Sequence, residues 1–168
     1  MKTLYLLRHA KSSWKDETLP DLARPLKKKG HFQADQLSDH LSALIPPPQR
    51  ALCSPSVRTR QTLDYFLEIW PLSAKSVIFS EDLYMTGVDS LLEQIQSLPD
   101  SVEIVLMVGH NPGLSDLASV LVDSKGGFMK SIRPCGFLQV DFEVKSWKQV
   151  AETSGQLKLN LRPKDLQK

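Results

Sequence analysis

"VEIVLMVGHNPG", residues 102–113, decides the fold. From Val102 to Val108 every residue but Glu103 is apolar. A run of that kind is buried on both faces, which places it centrally in a parallel sheet. It then breaks into Gly109, His110, Asn111, Pro112 and Gly113, and Asn-Pro and Pro-Gly both favour turns. A helical pattern, "NPGLSDLASVLV" at 111–122, follows.

The same alternation extends outward. "KTLYLLR" (2–8) reads as a buried strand that ends on Arg8 and His9. Residues 9–24, rich in Ser, Asp and Pro, read as a loop. Leu26, Ala34, Leu37, Leu41 and Leu44 recur at helical spacing, predicting a helix over 25–45. Pro25 suits its first turn, and Pro46 to Pro48 stop it. "RALC" (50–53) is a short strand; Ser54 as N-cap and Pro55 as first helical residue open a helix to about Ile69. "KSVIF" (75–79) is a strand and "VDSLLEQIQSL" (88–98) an amphipathic helix ended by Pro99. "GFLQVDFEV" (136–144) alternates, with "WKQVA" (147–151) as its expected partner and "LRPKDLQK" as a polar tail. The expectation is one α/β domain over residues 1–168, with its core at about 2–151. It has three layers, a mostly parallel sheet with helices on both faces.

Composition narrows the class. A chain of 168 residues can bury one sizeable core. With 41% hydrophobic and 24% charged residues it reads as an ordinary globular protein. A net charge of +2 argues for neither a nucleic-acid nor a membrane partner. The run Lys27–Lys29 reads as a solvated helix face. No apolar run approaches the ~18–20 residues of a membrane span, and the N-terminus opens on a strand rather than a signal peptide. Cys53 and Cys135 belong to no CxxC or zinc pattern. A cytoplasmic protein with reduced thiols is therefore expected.

In an open parallel sheet, ligands bind beyond the carboxyl ends of the strands. Arg8 and His9 follow the first strand, Arg58 lies in the first helical turn after the second, and His110 follows the central one. Taken singly, each reads as a surface or turn residue. Together they bring two guanidinium groups and two imidazoles to one sheet edge. Guanidinium forks suit phosphate or carboxylate. Crowded cations hold an imidazole neutral, and a neutral imidazole is a nucleophile for phosphorus. The second histidine can hydrogen-bond the phosphoryl oxygens in the transition state. His31 and His40 fall on a predicted helix and read as plain helical residues. No GxxxxGK[ST], post-strand GxGxxG, HExxH or calcium loop competes.

"RHA" after the first strand, "SPSVRTRQT" before a helix and "GHNPG" after the central strand resemble the histidine phosphatase superfamily, which includes the cofactor-dependent phosphoglycerate mutases. "LLRHAKSSW" followed by "DLARPL" is most similar to its SixA-type phosphohistidine phosphatases. The resemblance implies a phosphoglycerate mutase-like fold and a phosphohistidine intermediate on His9. It makes Arg8 and Arg58 the phosphate-binding arginines and His110 the second pocket histidine. Water releases inorganic phosphate, with no metal and no organic cofactor. Two departures stand out. Ala10 replaces the glycine that many members carry after the nucleophile. The general acid has two candidates, Glu81 and Asp82 in "SEDLY", with the spacing favouring Asp82. Arg24 in "DLARPL" either reaches the substrate or, the preferred reading, pairs with Asp21 to fix the loop. Lys11 is a candidate cation at the entrance.

Between Ile69 and Val102 lie about 30 residues, used up by one strand and one helix. No room remains for the large cap of bigger members, so an open site is expected. It suits a phosphohistidine presented on a protein, such as a histidine phosphotransfer domain, and needs no nucleic acid or membrane. The alternatives are a general small-molecule phosphomonoesterase and a non-catalytic phosphoprotein-binding module. A mutase is disfavoured, because an open site exposes its phosphohistidine to water. Activity is expected to survive EDTA; a loss restored by a divalent ion would reveal a metal requirement.

Overall fold

The computed structural model describes residues 1–122 and 131–166. The apolar run forms β4 (Ile104–Gly109), with β1 (Lys2–Arg8) on one side and β2 (Arg50–Cys53) on the other, both parallel to it. The short β3 (Val77–Phe79) extends the parallel part beyond β2. On the other flank β5 (Phe137–Phe142) pairs antiparallel with β1, and β6 (Gly155–Leu161) antiparallel with β5. The sheet order is β3-β2-β4-β1-β5-β6.

Alternation along β1 builds two cores. Leu4 and Leu6 face one side with Leu91, Ile95, Leu114, Leu117 and Trp147. These belong to α3 (Val88–Gln96), α4 (Gly113–Leu121) and a 3-10 turn, Trp147–Gln149. Tyr5 and Leu7 face the other side with Ala34, Leu37, Leu41, Leu63 and Phe66, from α1 (Lys28–Leu44) and α2 (Val57–Ile69). The chain is thus a single α/β domain of three layers. No helix among the described residues is long and apolar enough to cross a membrane.

Four expectations need correction. Helix α1 starts at Lys28, not Pro25, because Leu26 is still extended: it bridges to Ser12 and gives its N–H to Gln61 Oε1 at 2.8 Å. Helix α2 is capped by Ser56, whose Oγ accepts the Thr59 N–H at 3.3 Å, rather than by Ser54. "WKQVA" is no strand. Trp147 is fully buried in its turn and gives its indole N–H to the Val102 carbonyl at 2.7 Å. The partner of β5 is "GQLKLNL", where Leu157, Leu159 and Leu161 are half-buried and Gln156, Lys158 and Asn160 exposed. Leu157 packs on the α3–α4 core and Leu159 and Leu161 on the α1–α2 core, the face changing at a register shift opposite Gln139 and Val140. The core therefore extends past 151. Beyond β6 the supposed tail folds as a 3-10 turn, Pro163–Leu166, with Pro163 buried and Leu166 packed on the α1–α2 core. Its last two residues lie outside the described ones.

The register positions the site. Arg8 lies opposite Gly109, and Cys53 opposite Val108. His9 and His110 therefore leave neighbouring strands at the same level, with the start of α2 beside them. Gly30, in the first turn of α1, lets that helix press on the loop after His9: a Cβ there would run into the Lys11 carbonyl oxygen, which also accepts the Lys27 N–H. Gly30→Ala is expected to cost about 1–3 kcal/mol by overpacking, read as a lowered urea midpoint. An unchanged midpoint would show that the loop yields freely.

Candidate active site

Three segments hold the backbone around His9. Its N–H bonds the Gly109 carbonyl at 3.1 Å, its carbonyl accepts the Cys135 N–H at 3.0 Å, and the Ala10 N–H bonds Thr62 Oγ1 at 3.0 Å. The ring is oriented as well. His9 Nδ1 lies 2.7 Å from the Ala10 carbonyl oxygen. A carbonyl only accepts, so Nδ1 carries the proton and Nε2 keeps its lone pair. Burial, with Arg58, Arg8 and Arg24 nearby, lowers the His9 pKa to about 4. The imidazole is thus a neutral, oriented base with Nε2 unprotonated.

The His110 ring lies 5.2 Å from that of His9, centroid to centroid. Arg58 Nη2 is 3.3 Å from His110 Nδ1, and Ser54 Oγ is 2.7 Å from Nε2. A guanidinium only donates, so Nδ1 accepts and Nε2–H points to Ser54. Burial, His9 and Arg58 lower the His110 pKa to about 3. Ser54 is therefore spent on a histidine, which is why Ser56 caps α2.

Arg8 gives Nη1 to the Ile132 carbonyl at 2.9 Å, an oxygen that Asn111 Nδ2 also reaches at 2.8 Å. Arg58 gives Nη1 to the Asp21 carbonyl at 2.7 Å and Nη2 to Asp21 Oδ2 at 2.9 Å. Arg24 holds Asp21 Oδ1 at 3.1 Å while stacking 3.4 Å above the Trp14 ring. Tyr84 donates its hydroxyl to Asp21 Oδ2, and its ring stands edge-on to His110 at 5.4 Å. Partial burial would raise the Asp21 pKa, but hydrogen bonds from Tyr84 and Arg58 outweigh it and bring it to about 2. The Nε atoms of Arg8 and Arg58 are buried with no protein acceptor among the described residues. Buried donors of that kind call for an anionic partner.

The structure thus brings Arg8, His9, Arg58 and His110 together. Arg24 is one residue removed, joined to Arg58 through Asp21, and it fixes the loop as the Asp-Arg pairing predicts. Lys11 is half-buried in that loop. Glu81 and Asp82 are exposed on a 3-10 turn, Glu81–Leu83. Asp82 faces α3, where its carboxylate receives a long contact from Gln94 Nε2, 3.5 Å, and its carbonyl accepts the Ser90 hydroxyl. Neither carboxylate is hydrogen-bonded to the histidines or arginines. His31 bonds the Tyr65 hydroxyl at 3.0 Å, a helix-packing role, and His40 is exposed. Cys53 and Cys135 are buried free thiols, both raised to about 12 by burial. Among the described residues no three His, Cys, Asp or Glu side chains gather as a metal site requires. Thr62 and Tyr84 were not singled out from the sequence, and Ser54 only as a helix cap. Each acts through a long-range contact that no local motif announces.

These imidazoles link stability to pH. A free imidazole titrates near about 6.5, while His9 in the fold titrates near about 4 and His110 near about 3. As pH falls through that window the unfolded chain binds protons first, so stability falls with it. The urea midpoint is expected to drop from about pH 6.5 to about pH 4, and to drop less steeply in His9→Gln. Identical slopes in the two proteins would show that the fold does not depress His9.

The model of the histidine phosphatase superfamily (branch 1) matches residues 4–83. An uncharacterized chloroplastic protein of Arabidopsis thaliana is 32% identical over 92% of this chain and 72% of its own length. Among solved structures, the SixA protein of Nakamurella multipartitia, assigned by name to the phosphohistidine phosphatases, superposes with a TM-score of 0.84 at 28% identity over 96% of each chain. The protein histidine phosphatase SixA complexed with tungstate gives 0.83 at 20% identity, over 98% of this chain and 99% of that one, a likeness of fold. With its motifs gathered at one sheet edge, the chain belongs to the histidine phosphatase superfamily.

Proposed function

We propose that this phosphatase hydrolyses phosphohistidine on a protein, through a phosphoryl group held transiently on His9. The observation that carries the reading is the state of Asp21. Among the described residues it is the carboxylate hydrogen-bonded to the site, and Tyr84, Arg58 and Arg24 keep it ionised. It has no proton to give a leaving group, and Glu81 and Asp82 are exposed without a bond to the site. An alkoxide needs such a proton, since its parent acid resembles water, with a pKa near ~16. An imidazole does not: with a pKa of about 6.5 it takes a proton from solvent on its distal nitrogen and leaves neutral.

His9 Nε2 attacks phosphorus in line as the substrate's P–N bond breaks. Arg8 and Arg58 face the phosphoryl oxygens, where charge is greatest. The arriving dianion reverses the like-charge balance at His110 and favours its protonated form, so that Nδ1 becomes a donor. Water then attacks the phosphohistidine on His9. The loose transition state of phosphoryl transfer asks little of a base, and inorganic phosphate departs. The partner is a phosphohistidine-bearing protein such as a histidine phosphotransfer domain. The short connection from α2 to β4, holding only β3, two 3-10 turns and α3, supports access for it. The names of the SixA relatives support the same substrate.

The test is phosphate release from a phosphohistidine-carrying domain and, separately, from p-nitrophenyl phosphate. Wild type is expected to act faster on the domain, and His9→Ala to lose at least about 1,000-fold while still binding tungstate. Turnover of the ester alone would make the protein a small-molecule phosphatase, and undiminished turnover by His9→Ala would remove His9 from the chemistry.

A further inference from the structure

His110 is also one wall of a cavity of about 260 Å³ that the reaction above does not use. The other walls are largely apolar, with Leu83, Leu91 and Leu114 buried and Met85 and Gly87 exposed. Two glycines shape it in different ways. Gly113 is needed for close approach, since a Cβ there would lie 2.5 Å from the Thr86 carbonyl oxygen. Gly87 is not: a Cβ there would meet nothing within 4 Å, and its φ of −89° suits any residue. Its missing side chain relieves no clash and leaves room. Met85 beside it holds a left-handed φ of 49°, a conformation that costs a non-glycine residue energy and clusters at ligand sites.

Size and position both point to an occupant. An apolar cavity of about 150 Å³ accepts benzene, so this one, at about 260 Å³, has room for an aromatic ring or a leucine-sized side chain. Because His110 borders both spaces, a molecule with its phosphoryl group on the histidines can place a neighbouring group here. We infer that the cavity is a subsite for an apolar group borne by the phosphorylated substrate, and that it supplies selectivity which the phosphate contacts lack. The inference rests on reading the His9–His110 pair as a phosphoryl site. In a protein substrate the group is an aliphatic or aromatic side chain beside the phosphohistidine. In a small ester it is the organic half.

Phosphonates test the subsite without bond cleavage. Methyl-, phenyl- and hexylphosphonate are to be titrated against wild type, Gly87→Ala and Gly87→Leu. Phenyl- and hexylphosphonate are expected to bind wild type at least about tenfold tighter than methylphosphonate, from burial of apolar area. That gain should shrink in Gly87→Ala and vanish in Gly87→Leu, with methylphosphonate affinity unchanged, which also reports an intact fold. Equal affinities in wild type, or a gain untouched by Gly87→Leu, would overturn the subsite alone. Binding of none of the three would overturn the phosphoryl-site reading with it. The source follows from KM for a phosphohistidine domain: a rise in Gly87→Leu assigns the cavity to a side chain of the protein substrate, and an unchanged KM assigns it to the organic half of an ester.

Discussion

The parallel pairing of β1 with β4, in the register that sets Arg8 opposite Gly109, is the constraint on which the rest depends. It delivers His9 and His110 from adjacent strands at one height. A strand slip of one residue would turn each side chain to the opposite face and separate the two rings. That register is enforced from both sides of the sheet. Leu4 and Leu6 are sealed under α3 and α4, and Tyr5 and Leu7 under α1 and α2, so neither face tolerates the exchange. The burial that stabilises the sheet is thus the same burial that aims the histidines.

A second constraint follows from the first. Bringing two buried imidazoles and two guanidinium groups together accumulates like charge in a medium that screens poorly. The fold answers with neutral imidazoles and one shared counterion. Asp21 binds Arg58 and Arg24 at once, and Tyr84 adds a third donor. That carboxylate joins the loop before α1, the first turn of α2 and the segment leading to α3. The walls of the pocket are therefore connected electrostatically, around a charge that is itself partly exposed.

Much of this was legible in the sequence because it is local. Arg8, His9, Arg58 and His110 each follow a strand that its apolar run announces, and the parallel topology then forces them to one edge. What escaped is non-local. Ser54 has the look of a helix cap, and only the arrival of His110 from β4 shows why it is not one. Thr62 and Tyr84 contribute through partners 52 and 63 residues away. β6 escaped for a different reason: it spreads three half-buried leucines among exposed polar residues, and no continuous apolar run marks it. Glu81 and Asp82 stand near the right place in the chain. A 3-10 turn capped by Ser80 nevertheless carries Asp82 toward α3.

The two cysteines carry a consequence of their own. Cys53 ends β2, and Cys135 gives its N–H to the carbonyl of His9, so both stand beside the pocket. Both are sealed from solvent and hold their protons far above neutral pH. A thiol in that state is neither a nucleophile nor a ready target for peroxide. The two thiols therefore serve the pocket by packing alone, one closing the end of β2 and the other tying the loop before β5 to the backbone of His9.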